Sequence, residues 1–292
     1  MSDLLSGLGS LGLGSLQGME LFEDSKHEEK SIETAEEVVI DETEFLIDKT
    51  YECPICGRKF KSIMPKTGKS KLLSTDMDLR PVHEHVDLTK YDVIVCQNCG
   101  YAVLSRYHVG LTERQKKNIL EKISHSYKSN MKKFSTYTYE DALARYQLAL
   151  VNAIVKQAKN SEKAYICLKA GWLMRGYAEW LLTDEGKATE NAKEKREQAL
   201  KMEEDYLKNA FEGFQAAMAN ELFPIAGMDE STMNYLLAVL AYRFDKLEIA
   251  GPLVSKILVS SAANSRTKDK ARDLKDLIVA RLKEKKAQDS GK

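Results

Sequence analysis

Long apolar runs are missing from this sequence. The longest uncharged one covers residues 235–242, far short of the roughly 18 residues that a membrane-spanning helix needs, so we expect no membrane association. The first charged residue is Asp3 and glycines interrupt the early leucines, so we also expect no secretory signal. The five cysteines do not form the pattern of a disulfide framework, which favours the reducing cytoplasm as the location.

A net charge is also missing, because 44 basic and 44 acidic side chains cancel. The charges are unevenly spread: residues 1–50 carry 13 acids and 3 bases, residues 51–140 carry 9 and 16, and residues 141–292 carry 22 and 25. A zinc ion with four thiolates would add about −2 to the middle region. That region is therefore only mildly basic, well short of a typical nucleic-acid-binding protein.

Two Cys-x-x-Cys pairs, each followed by glycine, are the strongest chemical signal present. They read CPICG at residues 53–57 and CQNCG at residues 96–100, and 39 residues separate the two pairs. One tight turn aims both sulfurs of a pair at the same metal, and the glycine suits the positive φ of such a turn. We predict one structural zinc ion per chain, held by Cys53, Cys56, Cys96 and Cys99. Four cysteines leave no open coordination position for a substrate.

The chain divides into four predicted segments. Residues 1–48 combine a Leu/Gly/Ser tract with an acidic linker, and we expect them to lack fixed structure in isolation. The tract is either a docking motif that folds on a partner or a flexible tail. Opposite charge would attract residues 1–44 weakly to the basic insert between the two cysteine pairs. Residues 49–110 form a zinc-ribbon module with short β-strands, residues 111–286 a helical domain, and residues 287–292 a flexible tail.

Helical periodicity and capping residues predict the elements of the helical domain. Thr112 and Gln115 form a capping box, and Thr138 and Ser161 can cap the next two helices. The predicted helices cover about residues 112–127, 139–158, 161–182, 187–220, 232–244, 246 onward with a kink or restart at Gly251-Pro252, and 268–284. We predict a mainly α fold, in which the zinc ribbon precedes a tetratricopeptide-like array of antiparallel helices.

Several of these motifs together resemble a known family. The two cysteine motifs, Asp76-Met77-Asp78-Leu79 between them, and the helical stretches at residues 171–175 and 235–243 resemble a bacterial family called domain of unknown function 2225. The resemblance covers roughly residues 50–260. It implies zinc followed by tetratricopeptide-like helices, and it implies no biochemical activity.

His83-Glu84-His85 is the main candidate for other chemistry. The triplet is close to the zinc-protease pattern His-Glu-x-x-His, but the second histidine of that pattern would fall on Asp87, and Pro81 disfavours the required helix. The two histidines could instead join Asp76 and Asp78 in a second metal site. Alternatively, these aspartates hydrogen-bond backbone amides within a turn.

The sequence is compatible with three functions. We favour a cytoplasmic, non-catalytic zinc-binding adaptor whose helical hairpins bind a partner protein or peptide. The alternatives are a metal-dependent hydrolase that uses His83, Glu84 and His85, and a nucleic-acid-binding zinc ribbon. Arg175 and Arg243 follow apolar stretches near the ends of two helices, where their guanidinium groups suit carboxylates of a docked partner. Alternatively each pairs within the fold, for instance Arg175 with Glu179 one helical turn later.

Overall fold

Three antiparallel β-hairpins come first in the described chain. The computed structural model describes residues 41–129 and 134–290. The strands are β1 (Leu46–Glu52) paired with β2 (Lys59–Pro65), β3 (Leu72–Thr75) with β4 (Pro81–His83), and β5 (Val93–Val95) with β6 (Ala102–Leu104). In register, Glu52 faces Lys59 and Val95 faces Ala102. The turns of the first and third hairpins therefore carry the two cysteine motifs, and the turn of the second carries Asp76 and Asp78.

Helices make up most of the remaining described chain. They are α1 (Glu113–Ile119), which continues into a π-helical turn (Leu120–Ser124), α2 (Tyr139–Val155), α3 (Asn160–Trp180), α4 (Asp184–Lys187), α5 (Ala192–Asn220), α6 (Glu230–Arg243), α7 (Leu247–Val259) and α8 (Ser265–Ser290). The mainly helical fold behind short strand pairs is confirmed. A tetratricopeptide-like arrangement stays a prediction. None of the helices in the described part is long and apolar enough to cross a membrane.

Local capping signals locate two helix starts correctly and a third incorrectly. The capping box of Thr112 and Gln115 is present, and Thr138 forms a second one with Asp141. Ser161 does not cap α3, which begins one residue earlier. The backbone N–H of Ser161 instead donates to the Glu221 carboxylate at 3.0 Å, so an acid from a distant segment satisfies this helix start.

Two predicted breaks are placed differently in the structure. The fourth predicted helix begins five residues later than predicted, at Ala192 of α5, after the short α4, and Asn191 before α5 has a φ of 56°. That left-handed conformation is one that asparagine tolerates, and it stops a continuous helix. In α7, by contrast, Pro252 lies inside one uninterrupted helix, so no restart occurs at Gly251-Pro252.

Both ends of the described chain are more regular than predicted. Asp41 caps a 3₁₀ turn (Glu42–Phe45), and Phe45 and Leu46 are buried, although residues 1–48 were expected to lack structure. This apolar pair packs with Ile63 and Tyr91, which outweighs the acidic character of the segment. At the other end, α8 extends to Ser290 and includes part of the predicted tail. The Leu/Gly/Ser tract lies outside the described residues.

Two buried clusters position the hairpins on the helices. In one, Val93 and Leu104 of the third hairpin pack with Tyr146 of α2 and Leu173 of α3. In the other, Trp172 of α3 belongs to a cluster with side chains from α5, α6, α7 and α8, including Phe211, Leu236, Val254 and Leu274. Helix α3 contributes to both clusters, so it connects the third hairpin to the rest of the helical body.

Candidate functional site

The four predicted ligands converge on one point. The Sγ atoms of Cys53 and Cys99 lie 3.5 Å apart, those of Cys56 and Cys96 lie 3.7 Å apart, and all four lie within 4.8 Å of one another. A tetrahedral zinc ion with Zn–S bonds of about 2.3 Å requires sulfurs about 3.8 Å apart. A disulfide would require about 2.05 Å. The spacing therefore fits four thiolates around a single metal ion.

The two cysteine turns have the same backbone design. In the first, the Cys53 N–H donates to the Arg58 carbonyl at 3.0 Å and the Gly57 N–H to the Cys53 carbonyl at 2.9 Å. In the second, the corresponding bonds run from Cys96 to the Tyr101 carbonyl at 2.8 Å and from Gly100 to the Cys96 carbonyl at 2.9 Å. Each turn closes the end of a β-hairpin, so hairpin pairing aims the sulfurs.

Glycine is required at the end of each turn, but for unequal reasons. Gly57 has a φ of 68° and Gly100 a φ of 74°, a region where L-residues with a side chain are strained. A Cβ at Gly57 would meet open space, whereas a Cβ at Gly100 would lie 2.6 Å from Cγ of Tyr127. At residue 100 a side chain is therefore excluded both by the positive φ and by the nearby Tyr127 ring.

A polar and apolar shell holds the sulfurs in place. The Arg58 guanidinium donates to the Asn98 side chain at 2.7 Å, which joins the two turns. Asn152 of α2 donates to the Gly100 carbonyl at 3.0 Å, which fixes the second turn to the helical body. Cys53, Cys96 and Cys99 are buried with Ile94 and Tyr101 around them. Such outer contacts orient metal ligands and limit the access of solvent.

The thiol cluster itself favours a cation. Hydrogen bonds with Cys53 and then Cys96, and after them burial, raise the pKa of the Cys99 thiol, so the charged thiolate is disfavoured when no positive charge lies beside it. A divalent metal removes that penalty by binding all four as thiolates. Among the described residues, this is the one group of three or more potential metal ligands that lie close together.

Asp76 and Asp78 contribute to an ion-pair network rather than to a second metal site. Arg175 of α3 donates to Asp76 at 2.8 Å and to both oxygens of Asp78 at 3.0 and 2.5 Å. Its Nε donates to Glu203 of α5 at 2.8 Å. Arg80 donates to Asp76 at 2.7 Å and to Glu179 at 2.7 and 2.8 Å. The network ties the second hairpin to α3 and α5.

Arg175 and Arg243, the two arginines predicted to bind a partner, both form ion pairs within the fold. Arg175 is paired within the fold, but with Asp76, Asp78 and Glu203 instead of Glu179. Arg243 pairs with Glu203 at 2.9 Å, and 38% of its side chain is exposed. The indole of Trp172 also donates to Asp78 at 3.1 Å. Partner binding through Arg243 stays a prediction, whereas the guanidinium of Arg175 is engaged on three sides.

The histidine triplet is not arranged as the hydrolase alternative requires. His83 ends a strand, and His85 has a φ of 66°, so no helix presents the two rings together. Both line an open groove of about 310 Å³ that also contains Asp87 and Trp180. Glu84 pairs with His85 at 3.5 Å and is not among the residues that line this groove. Burial lowers the pKa of His83.

Sequence reasoning missed a cleft at the junction between the hairpins and the helices. This junction cleft has a volume of about 280 Å³ and is lined by Leu79, Arg106, Tyr165, Trp172, Thr232 and Leu236, among others. An adjoining cavity of about 100 Å³ shares Arg106, Tyr165 and Lys169 with it. The lining residues come from distant parts of the chain, so no local motif signals the cleft.

Comparison with known proteins gives one match. The family described as "Uncharacterized protein conserved in bacteria (DUF2225)" matches residues 46–278, a span that contains both cysteine turns, the ion-pair network and the junction cleft. No curated protein and no solved structure matches the chain. Because the match covers well over half of the sequence, the chain belongs to this bacterial family, domain of unknown function 2225.

Proposed function

We propose that this protein is a non-catalytic, zinc-stabilised adaptor of the cytoplasm that binds a partner protein or peptide in the junction cleft. The metal is zinc, because four cysteine ligands in tetrahedral spacing are typical of structural zinc sites. Cys53, Cys56, Cys96 and Cys99 hold it. A closed four-cysteine site leaves no position for substrate, so the ion orders the two turns and takes no part in chemistry.

The ion-pair network supports a scaffold role. Asp78 and Glu203 are almost fully buried, with side chains only 5% and 3% exposed. Buried charges with several partners hold their elements in one fixed geometry, because breaking any single pair leaves an uncompensated charge. The second hairpin is therefore fixed on α3, and the two walls of the junction cleft keep their spacing.

The junction cleft is the observation that carries the proposal. Its floor is apolar and rigid, since Leu168, Trp172 and Leu236 are buried. Its rim carries Arg106 and Thr232 as polar groups. Concave apolar sites with a few polar groups at the rim are typical ligand-binding sites. Both the zinc-ribbon segment and the helices line this one, which gives the two parts a common task.

Site-specific photo-crosslinking in living bacteria tests the adaptor function. A photoreactive phenylalanine analogue in place of Met228, a half-buried side chain that also lines the cleft, should capture one defined partner, whereas the same residue at Lys201 on the exposed side of α5 should not. Substitution Cys99→Ser should abolish the product, because the zinc-ribbon wall of the cleft depends on the metal. The adaptor function is refuted when no product depends on both position 228 and the zinc ligands.

One observation favours nucleic-acid binding as a second candidate. A groove of about 510 Å³ beside the cysteine turns brings Phe60, Phe134 and Tyr137 together with Arg58, Lys59 and Lys61. Aromatic rings and cations in one groove suit single-stranded nucleic acid. However, Lys61 has Asp48 at 3.7 Å, and the four thiolates with zinc add about −2 beside the groove. Salt-dependent binding of oligouridylate, lost in Lys59→Glu, would favour this candidate over the adaptor.

A further inference from the structure

We propose that the junction cleft selects peptide segments in which an acidic side chain lies next to one large apolar side chain. The inference rests on the proposed adaptor function and specifies the chemistry of its partner. Two separate features of the cleft support it: the apolar floor, and a cation at the rim that has no acidic partner.

The floor provides a place for the apolar side chain. Leu168 is 1% exposed, Trp172 4% and Leu236 0%, so these side chains are held by the core beneath them. Apolar cavities of about 150 Å³ already bind benzene, and the junction cleft has about 280 Å³. The cleft is therefore large enough for a leucine, methionine or phenylalanine side chain, which gains free energy by leaving water.

Arg106 provides the charge at the rim. Its guanidinium lies 4.7 Å from the ring centre of Tyr165 and 5.5 Å from that of Tyr107. Among the described residues, no acidic side chain pairs with Arg106. Lys169 in the same cleft differs, because Asp92 holds its ammonium at 2.7 Å. Arg106 is thus the cation of this cleft that is left for a ligand.

The glycine at position 227 leaves room for the Arg106 guanidinium beside the backbone. Gly227 has a φ of 76°, and a Cβ there would lie 2.4 Å from Nη2 of Arg106. With the Tyr165 ring at 4.7 Å from its guanidinium, Arg106 is still an exposed residue that a ligand can reach. A planar guanidinium fork suits a carboxylate, which accepts two parallel hydrogen bonds from it. An acidic side chain next to the apolar anchor meets this requirement.

A phage-displayed peptide library tests the proposal on the zinc-loaded full-length protein. The peptides carry a central leucine or phenylalanine and randomised flanks, and selected sequences are remade with a fluorescent label to measure their dissociation constants. We expect enrichment of aspartate and glutamate in the flanks. Arg106→Glu should weaken the selected acidic peptides about tenfold or more, and a new selection on this variant should enrich lysine and arginine.

Two further variants separate charge from fit. Arg114→Glu makes the same charge change on the exposed face of α1, and it should leave both affinity and selection unchanged. Thr232→Trp fills the cleft from its rim and should reduce binding about tenfold or more, with an unchanged melting temperature.

The binding results for these variants separate the acidic preference from the existence of the binding cleft. Peptides lost in Thr232→Trp but indifferent to Arg106→Glu refute the acidic preference and leave the adaptor cleft intact. Peptides indifferent to both variants, or no selected peptide at all, refute the inference, and the crosslinking experiment then decides separately on the adaptor function. Binding of oligouridylate that disappears in Arg106→Glu also refutes it, because the cation would then serve phosphate.

Discussion

Substitution of Asp78 by asparagine should destabilise the protein by about 3 kcal/mol. The Asp78 side chain is 5% exposed and accepts hydrogen bonds from Arg175 at 3.0 and 2.5 Å and from Trp172 at 3.1 Å. Removing one partner of a buried ion pair usually costs about 3–5 kcal/mol. Arg175 keeps Asp76 and Glu203, so we expect the lower end of that range.

Urea unfolding of the zinc-loaded protein measures this cost. With a slope of about 3 kcal/mol per M, the midpoint should fall by about 1 M. Asp276→Asn makes the same chemical change on the exposed face of α8 and should stay within about 0.5 kcal/mol of the wild type. Fluorescence follows the same transition, because both tryptophans lie in α3.

A double-mutant cycle shows whether the effect comes from the pair itself. Arg175→Met should also destabilise the protein, and the double variant should lose clearly less than the sum of the two single variants, with a coupling of about 1 kcal/mol or more. The reasoning fails when Asp78→Asn behaves like Asp276→Asn, or when the two effects add. The network would then describe geometry without contributing to stability.

Three further predictions concern single groups. Gly100→Ala should release zinc to a chelator faster than Gly57→Ala, because only the Cβ at residue 100 would lie 2.6 Å from Tyr127; equal release rates would contradict this. Burial would raise the pKa of Asp76, but the hydrogen bond from Arg175 and the charge of Arg80 outweigh it and lower that pKa below its usual 3.8. The ionised Asp76 carboxylate should therefore stabilise the fold above pH 4, and this contribution should be lost as the pH falls further. Asp76→Asn should lack this pH-dependent contribution to stability. Burial raises the pKa of the Cys167 thiol to about 11, so iodoacetamide at pH 8 should leave it unmodified in the folded, zinc-loaded protein, as mass spectrometry would show.

Features that depend on adjacent residues could be predicted from the sequence. Each cysteine turn is complete within five residues, so its shape and its glycine follow from local chemistry. The capping boxes at Thr112 and Thr138 are equally local. The start of α3 does not depend on adjacent residues alone, because the Ser161 N–H donates to Glu221, which is 60 residues away.

The ion-pair network illustrates why contacts between residues far apart in the sequence could not be predicted. Helical spacing suggested that Arg175 pairs with Glu179, but the turn of the second hairpin brings Asp76 and Asp78 to Arg175 and Arg80 to Glu179. The partners are 97 to 99 residues apart in sequence, and only the packing of hairpin on helix determines them. The junction cleft could not be predicted for the same reason, because its lining residues also come from distant parts of the chain.

Metal analysis of the purified full-length protein tests the central claim most directly. Inductively coupled plasma mass spectrometry should find one zinc per chain, since the four Sγ atoms within 4.8 Å of one another fit the four ligands of a single structural zinc ion. Cys99→Ser should lose that zinc and expose residues 46–104 to protease, because metal affinity contributes to the folding free energy of this region. A protein that contains no zinc, or about two zinc ions per chain, would contradict the account.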